Sequence, residues 1–449
     1  MIVIYTKQVT NRIKYAFDFV FANYFGIAYE IILDANISKE SDKIYLSYAA
    51  EKHDGFFSVF QEDLLLKEDI VPQKLFVSTI HEMPVFFQTT DHYDLPFDIF
   101  SAIFYLVTRY EEYLPHAKDE HDRYKSSNSI LANPAFNFSP IVEIWLDFFK
   151  QELLKINATI PFKKHEFEYQ PTFDIDNAFQ YLGRNWFKKP PNIFNATCIK
   201  VLLKKEKDPF DTFDFIHQEI IKHQLKPIFF FLMSDEDKND SNVSPDSSLL
   251  HFQIKALSQY PIGIHPSYNT TTVEKVKDEK ELLSQITEQP ITLSRQHFLR
   301  LKFPETIRNL KENNIQKDYS LAYPNIPGFR AGYSREINFF DLAKNEPTSF
   351  ILQPTCWMDA TFEYYQNNLT NDEMSINALA SNTKDHLRIP STPLKNKKTD
   401  IDEILDKFLP ILYLLKKNNG KLVLIFHNDL LAIDKFQRIF IKINQLAKQ

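Results

Sequence analysis

The sequence predicts an α/β protein in two parts, a smaller α+β domain followed by a larger unit built on a parallel sheet, open or closed into a barrel. Three observations lead to this prediction. From residue 168 onward, short apolar segments alternate with single helical patterns, which is typical of βαβ units. Before that residue, strand and helix patterns are grouped instead of alternating. The length of 449 residues suits two or three domains.

The amino-terminal domain is predicted over residues 1–160. Apolar extended segments come first, at 2–5, 28–33, 43–47, 55–60 and 74–77. Two helical patterns follow, at 96–113 and 140–154, each with apolar residues at helical spacing. The charged run Arg109–Tyr113 is interpreted as helix surface, with an interface or a site as the alternative.

The second domain is predicted over residues 168–449. Its strands are expected at 168–175, 226–233, 260–265, 291–296, 318–323, 350–354, 387–391 and 421–427. Its helices are expected near 211–224, 246–259, 273–287, 304–315, 335–344, 401–418 and 431–446. Two further segments, 178–210 and 359–386, are predicted to be insertions between these elements.

Composition and charge exclude several function classes. A net charge of −7 gives no general attraction to nucleic acid or to an anionic membrane, so neither is predicted as a partner. The chain has 7 glycines and no Gly-x-Gly-x-x-Gly or Walker-type loop, which argues against a phosphate-cradling site. The two cysteines, Cys198 and Cys356, are predicted to be buried apolar residues.

The expected location is the cytoplasm. No stretch reaches the ~18 apolar residues that a membrane-spanning helix needs. Residues 1–6 suit a strand better than a secretory signal, because a basic start and a long apolar core are missing. Nothing in the sequence indicates an oligomeric state.

The most informative stretch is 171–176, an apolar strand that ends in two carboxylates, Asp174 and Asp176. Residues i and i+2 of a strand point to the same side, so both side chains can enter one site. Two like charges that close are costly unless a cation lies between them or one is protonated. The pair indicates a metal-dependent hydrolase, in which one carboxylate binds the metal and the other takes the proton of the attacking water. The alternative is a pair of solvated turn aspartates.

Polar residues recur at the carboxyl ends of later predicted strands, where ligands bind in parallel α/β folds. His265 follows one strand, Arg295 and His297 the next, Arg330 another, and His427 the last. A carboxylate with two imidazoles is a standard zinc ligand set that leaves a position for water. A single histidine after a strand is more often a hydrogen-bonded cap than a ligand, and a single arginine is easily an ordinary ion-pair partner, but together these residues predict a site.

Except for Arg295 and His297, these residues lie in motifs that resemble those of the polysaccharide deacetylases, carbohydrate esterase family four, over about residues 168–446. Thr172–Asp176 resembles the first motif, Gly263–Ser267 the second, Gly328–Gly332 the third and Leu424–His427 the last. The resemblance implies a distorted (β/α)7 barrel with helices outside. The amino-terminal domain is similar to one that precedes such a module in proteins of the Bacteroides group.

The resemblance also implies residue roles. By it, Asp174 is the catalytic base, Asp176 and His265 are metal ligands, Arg330 orients the base and His427 protonates the leaving amine. The implied reaction is the hydrolysis of an N-acetyl group on a carbohydrate at a divalent metal, with zinc expected.

One position departs from the family pattern. Four residues after His265, where the family usually supplies a second metal histidine, the chain has Asn269, a poor zinc ligand. His297 offers a replacement from the next strand end, as in some atypical members. Neighbouring strands lie about 4.8 Å apart, so two imidazoles at their ends can share one metal. We therefore predict Asp176, His265 and His297 as the metal ligands.

Other functions stay open at this stage. The chain is alternatively a catalytically degenerate protein that binds carbohydrate, a hydrolase of a non-sugar C–N bond, or a scaffold in a polysaccharide pathway. The same nitrogen and oxygen donors also bind cobalt, nickel or iron. Trp357 and Tyr333 are equally plausible as residues of a sugar cleft or of the core.

Overall fold

A parallel sheet forms the first part of the molecule in the computed structural model, which describes residues 1–449 except 90–92, 185–194, 236, 271 and 362–399. Its strands are β1 (Ile2–Tyr5), β2 (Tyr29–Ile32), β3 (Ile44–Ala49) and β4 (Phe57–Phe60), in the order β2-β1-β3-β4. An antiparallel hairpin follows, formed by β5 (Ser78–Ile80) and β6 (Met83–Val85). The extended segment predicted at 74–77 does not form a paired strand, since pairing begins directly after it, at Ser78 of β5.

The four strands of this first sheet are all parallel. The α+β prediction did not anticipate this arrangement. The connections from β2 to β3 and from β3 to β4 contain no helix, so the sequence lacks the strand–helix alternation that indicates parallel pairing.

Helices pack on this sheet. They are α1 (Asn11–Phe17), continued by a π-helical turn at Asp18–Phe25, then α2 (Ile99–Val107) and α3 (Ile141–Ile156). The helix predicted over 96–113 is shorter than expected. Arg109 has a left-handed backbone with φ 55°, which ends the helix, and a 3-10 turn follows at Tyr110–Tyr113.

The second part is built on a larger sheet. Its strands are β7 (Glu168–Ile175), β8 (Ile228–Leu232), β9 (Ile262–His265), β10 (Leu293–Ser294), β11 (Lys317–Leu321), β12 (Ile337–Asp341), β13 (Glu346–Pro354), β14 (Trp357–Met358) and β15 (Lys421–His427). Within the described ranges their order is β12-β13-β11-β10-β9-β8-β7-β15-β14. Only β12 and β13 among these neighbours are antiparallel. The parallel α/β sheet is confirmed, whereas a closed barrel of seven strands stays a prediction.

Helices connect most of these strands. They are α4 (Ala196–Leu202), α5 (Phe213–His223), α6 (Ser248–Leu257), α7 (Val273–Thr287), α8 (Glu305–Glu312), α9 (Asp400–Lys417) and α10 (Asp434–Lys448). All but α4, which lies in the segment predicted as an insertion, match predicted helices to within a few residues.

The helix predicted at 335–344 is wrong, because β12 occupies that range and pairs with β13. Burial alternates at its start, with Ile337 and Phe339 buried and Asn338 exposed, as in a strand. Asn345, with φ 52°, forms the turn into β13. The strand predicted at 387–391 and most of the insertion predicted at 359–386 lie outside the described residues.

The two parts share one continuous apolar core. Polar groups also cross the seam between them: Tyr15 donates to the carbonyl of Asn338 at 2.7 Å. Gly328 has φ 111°, and a Cβ there would lie 2.5 Å from the Cβ of Phe138, so only glycine lets the two backbones approach so closely.

Both cysteines are buried and free, as predicted. In the described part of the chain, every helix is too short or too polar to cross a bilayer.

Candidate active site

The carboxyl ends of four parallel strands meet at one rim of the larger sheet. β7 lies between β8 and β15, and β8 is followed by β9 and β10. His427 ends β15 and is paired in register with Asp174 of β7. His265 ends β9, and His297 lies just beyond β10. The polar residues that follow these strands are therefore brought to the same edge.

Asp176, His265 and His297 form a compact donor cluster. One ligand atom from each lies within 4.8 Å of the others. His265 Nε2 is 3.1 Å from Asp176 Oδ1, and His297 Nε2 is 3.4 Å from Asp176 Oδ2. Asp176 Oδ1 is buried and lacks a well-oriented hydrogen bond among the described residues. Two imidazole nitrogens and a carboxylate oxygen fit a divalent metal such as zinc.

Hydrogen bonds behind the cluster aim both imidazoles at Asp176. His265 Nδ1 donates to the carbonyl of Arg295 at 2.6 Å, and His297 Nδ1 donates to Asp240 Oδ1 at 2.6 Å. Because a carbonyl and a carboxylate only accept, the proton of each neutral ring lies on Nδ1, and Nε2 keeps its lone pair. Such outer partners typically fix the orientation of metal-binding histidines.

The electrostatics of the cluster favour an ionised Asp176 beside a protonated His297. Burial alone would raise the pKa of Asp176, but His297 and His265 hold that pKa well below its usual range. Burial opposes the charged form of His297, yet Asp176 and Asp240 raise the pKa of His297 to about 9. In the metal-free protein, His297 therefore carries a proton that a bound cation would have to displace.

Asp174 lies beside this cluster and contacts Arg295. Arg295 Nη1 donates to Asp174 Oδ1 at 2.7 Å and to Thr172 Oγ1 at 2.7 Å. The guanidinium is fully buried, with its Cζ 4.5 Å from the centroid of the Phe230 ring. Arg295 therefore holds the carboxylate of Asp174 in place from the end of β10, three strands along the sheet from β7.

The predicted contact between Arg330 and Asp174 is wrong. Arg330 Nη2 and Nε donate to Glu112 Oε2 and Oε1 at 2.5 and 2.8 Å, and Arg109 Nε also donates to Glu112 Oε1 at 2.7 Å. Burial opposes the charged form of Glu112, but Arg330 and Arg109 keep the pKa of Glu112 below its usual range. Arg330 points into the seam because the amino-terminal part places a buried carboxylate there.

The charged run Arg109–Tyr113 is accordingly a buried interface and not the helix surface that was expected. Arg109 is fully buried, and Glu111 and Glu112 are almost so. Arg109 Nη2 also donates to Glu111 Oε1 at 2.9 Å. Two arginines and two glutamates thus neutralise one another where the two parts of the chain meet.

His427 lies near Asp176 and has the buried carboxylate of Asp359 behind its ring. Its Nδ1 donates to Asp359 Oδ1 at 2.6 Å, and its backbone N–H donates to Asp359 Oδ2 at 2.7 Å. His427 Nε2 is 3.8 Å from Asp176 Oδ2. Burial alone would lower the pKa of His427, but Asp359, with Asp176 and Asp174, raises it well above its usual range.

Other residues singled out in the sequence lie elsewhere. Asn269 is exposed and donates to Asp237, so its side chain is engaged outside the cluster. Close to Asn269, the backbone N–H of Tyr268 donates to Asp240 Oδ1 at 3.0 Å. Tyr333 and Trp357 are both buried in the core.

Sequence reasoning missed two supporting residues, Asp359 and Asp240, and assigned the role of a third, Arg295, to Arg330. Asp359 follows β14, the strand beside β15, so an aspartate directly after an apolar segment was a usable signal. Asp240 lies in a loop well past β8, and no pattern marks it. The sequence analysis noted Arg295, but only the structure shows that Arg295, and not Arg330, contacts Asp174.

Comparisons with known proteins cover the two parts differently. A family model described as "Family of unknown function (DUF7033)" matches residues 2–158. No curated protein sequence gives a significant match.

Solved structures resemble the chain only distantly. One is described as a polysaccharide deacetylase from Mycobacterium smegmatis, with 11% identity, a TM-score of 0.39, and coverage of 63% of this chain and 85% of that one. Another is that of Puue allantoinase, with 12% identity, a TM-score of 0.36, and coverage of 62% and 84%. At these TM-scores, neither neighbour supports a residue role in this chain.

Proposed function

We propose that the chain is a metal-dependent hydrolase of C–N bonds that removes the N-acetyl group of a carbohydrate. The observation that carries the proposal is the arrangement of Asp176, His265 and His297, whose donor atoms lie within 4.8 Å of one another. Asp174 and His427 flank this cluster on β7 and β15. The choice of an N-acetylated carbohydrate as the substrate rests on the motif resemblance, and it makes the proposal more specific than hydrolysis of a C–N bond.

Asp176, His265 and His297 would hold the metal, with zinc as the expected ion. When bound, a divalent metal lowers the pKa of its water and polarises the amide carbonyl. The buried Asp240 and the carbonyl of Arg295 keep the two Nε2 atoms directed at Asp176.

Asp174 is the proposed general base. Arg295 binds Oδ1 at 2.7 Å, whereas Asp174 Oδ2 lies 3.9 Å from His265 Nε2 and faces the cluster. A carboxylate fixed at one oxygen and open at the other can take the proton of an attacking water. This division makes Arg295 the positioning residue for the base.

His427 is the proposed general acid. Asp359 fixes the ring through Nδ1, so Nε2 is the nitrogen that faces the site. The raised pKa keeps the ring protonated at neutral pH, as an acid that protonates a departing amine requires. Asp174 and His427 together move one proton from water to the leaving nitrogen.

The test separates the two aspartates. Wild-type protein prepared without chelator should carry close to one divalent ion per chain and release acetate from an N-acetylated glycan. Asp174→Asn should keep the metal and lose turnover, because an amide cannot accept the proton of water. Asp176→Asn should lose metal and turnover together. The measurements are metal content by elemental analysis and acetate release.

Three outcomes would contradict the proposal in different ways. A wild-type protein that binds no added zinc would remove the metal centre. Equal metal loss in both aspartate variants would remove the division of roles. Metal binding without turnover on any N-acetylated glycan, combined with turnover on a small non-sugar amide, would keep the hydrolase and replace the substrate.

A further inference from the structure

We propose that the amino-terminal part of the chain completes the active site. Its loop of residues 116–124, here called the docking loop, holds the segment 295–301 in the conformation that aims His297 Nε2 at Asp176. The inference rests on the proposed function, in which His297 is a metal ligand. It assigns a role to a loop of the region that matches the family of unknown function.

The segment 295–301 needs external support. β10 contributes only two residues of regular strand before it. Phe298 and Leu299 then both have left-handed backbones, with φ of 58° and 54°. Residues other than glycine are strained in that region and persist there only where surrounding contacts fix them. Because Phe298 follows His297 directly, relaxation of its backbone would turn the imidazole away from Asp176.

The docking loop makes the contacts that fix this segment. Arg123 Nη1 donates to the carbonyl of Phe298 at 2.7 Å. In the opposite direction, Arg300 Nε donates to the carbonyl of His121 at 3.1 Å. The His121 ring also packs against Phe298, with centroids 4.7 Å apart. The strained residues are thus held on both sides by one loop.

The docking loop is itself rigid enough to act as a support. Asp119 accepts from Arg123 Nε at 2.7 Å and from the backbone N–H groups of His121 and Arg123 at 2.9 Å each. At the end of the loop, Tyr124 is buried, with its ring centroid 5.8 Å from Arg109 Cζ. The loop is therefore tied to the buried ion network of the seam.

A second route connects the docking loop to the same ligand. His121 Nδ1 lies 3.2 Å from the hydroxyl of Tyr268. The backbone N–H of Tyr268 donates to Asp240, whose Oδ1 accepts the Nδ1 proton of His297. The loop thus contacts both the backbone that carries His297 and the residue that orders the carboxylate behind its ring.

Arg123 is therefore a positioning residue for the metal centre. Removing an outer partner of a metal ligand typically lowers metal affinity about 10–100-fold. Arg123 contacts the residue after the ligand and not the ligand itself, so in the 449-residue chain Arg123→Ala should lower zinc affinity by the lower end of that range, about 10-fold, measured by competition with a chelator. Arg123→Lys keeps the charge but cannot contact Asp119 and Phe298 together. Its zinc affinity should therefore lie between those of wild type and Arg123→Ala.

The matched control is Lys118→Ala. Lys118 pairs with Asp122 in the same loop at 2.7 Å, and both side chains are substantially exposed. This variant should bind zinc as the wild type does. Thermal unfolding of each metal-free variant shows whether it remains folded.

Hydrogen exchange gives a readout that needs no metal. In metal-free Arg123→Ala, peptides covering 295–301 should exchange faster than in wild type and in Lys118→Ala. Zinc affinity within twofold of Lys118→Ala, with unchanged exchange, would overturn the inference. A wild type that binds no zinc would refute the proposed function, and the exchange result would still decide whether the loop holds this segment. If Arg123→Ala does not fold, Arg300→Ala tests the second hydrogen bond between the segment and the docking loop, from Arg300 Nε to the carbonyl of His121.

Discussion

The segment after β10 and the segments after β9 and β11 use similar residues in different ways. After β10, Arg295 contacts Asp174 and His297 faces Asp176. After β9 and β11, Asn269 is exposed to solvent and Arg330 is buried in the seam. All four residues are polar and lie in the segments that follow strand ends. Position after a strand places a side chain near the rim, but the partner opposite decides whether it serves the site.

The largest effect in this comparison is expected from Arg330. Breaking a buried ion pair costs roughly 3–5 kcal/mol. Because Arg109 still contacts Glu112, we expect Arg330→Met to lie at the lower end, about 3 kcal/mol, in the free energy of unfolding. Turnover per folded molecule should stay close to wild type, since Arg330 contacts neither Asp174 nor the donor cluster. Denaturant unfolding and acetate release measure the two quantities.

The control for Arg330 is Arg438→Met. Arg438 pairs with Asp434 on α10, and both side chains are exposed, so this variant should change stability little. If Arg330→Met abolished turnover while the protein remained folded and metal-loaded, Arg330 would belong to the site after all.

A smaller effect, on activity instead of stability, is expected from Arg295. Arg295→Lys keeps a cation but cannot reach Asp174, Thr172 and the carbonyl of Tyr319 at once, as the guanidinium does. Loss of such a supporting partner typically costs about 10–100-fold in activity. We expect kcat to fall by that factor while metal content is unchanged. A fall in metal content equal to the fall in kcat would show that Arg295 acts instead through His265, whose ring donates to its carbonyl.

Much of the larger sheet was predictable from the sequence. Its strands were short apolar runs and its helices had clear periodicity, both of which depend on near neighbours in the chain. The exceptions are β12 and β14. Ile337–Asp341 is too short for its period to separate strand from helix, and β14 has only two residues. The parallel pairing of β1–β4 was missed because the pairing partners, and not the strands themselves, define it.

The site was predictable to the extent that strand ends determine it. Asp174, Asp176, His265 and His427 each end or directly follow a strand, and parallel pairing brings them together. The hydrogen-bond partners of polar side chains that are distant in sequence were not predictable in this way. Arg330 and Glu112 are hydrogen-bonded although they are 218 residues apart in sequence, and His297 and Asp240 are 57 residues apart. Contacts of that kind depend on how separate elements pack, which local patterns do not encode.

The seam also predicts a pH effect. Glu143 accepts from the backbone N–H of Ser334 at 2.8 Å, and burial raises the pKa of Glu143 from 4.5 to about 7. Between these two values the folded protein holds a proton that the unfolded chain releases, so stability falls as pH rises through this window. Glu143→Gln keeps an acceptor for Ser334 and cannot ionise. Relative to wild type, its free energy of unfolding should rise between about pH 5 and pH 8, by about 2–3 kcal/mol.

Glu152→Gln is the matched control on the same helix, since Glu152 pairs with the exposed Lys155. Its stability relative to wild type should change little over the same pH range. A Glu143→Gln variant whose relative stability did not change with pH would mean that Glu143 is already ionised in the folded seam.

The smallest effect is expected at Asn269, and the comparison with His297 makes it informative. Asn269 donates to Asp237 and is exposed, whereas His297 Nε2 lies 3.4 Å from Asp176 Oδ2 and its Nδ1 is held by Asp240. Asn269→Ala should therefore leave zinc affinity within about twofold of wild type, because no contact of its side chain reaches the donor cluster. His297→Ala should lower affinity as severely as His265→Ala, because each removes one nitrogen of a set of three donors. Chelator competition measures all three variants under the same conditions. A loss in Asn269→Ala comparable to that in His297→Ala would place the ligand at the position the family pattern prefers, and would break the distinction between the segment after β10 and its neighbours.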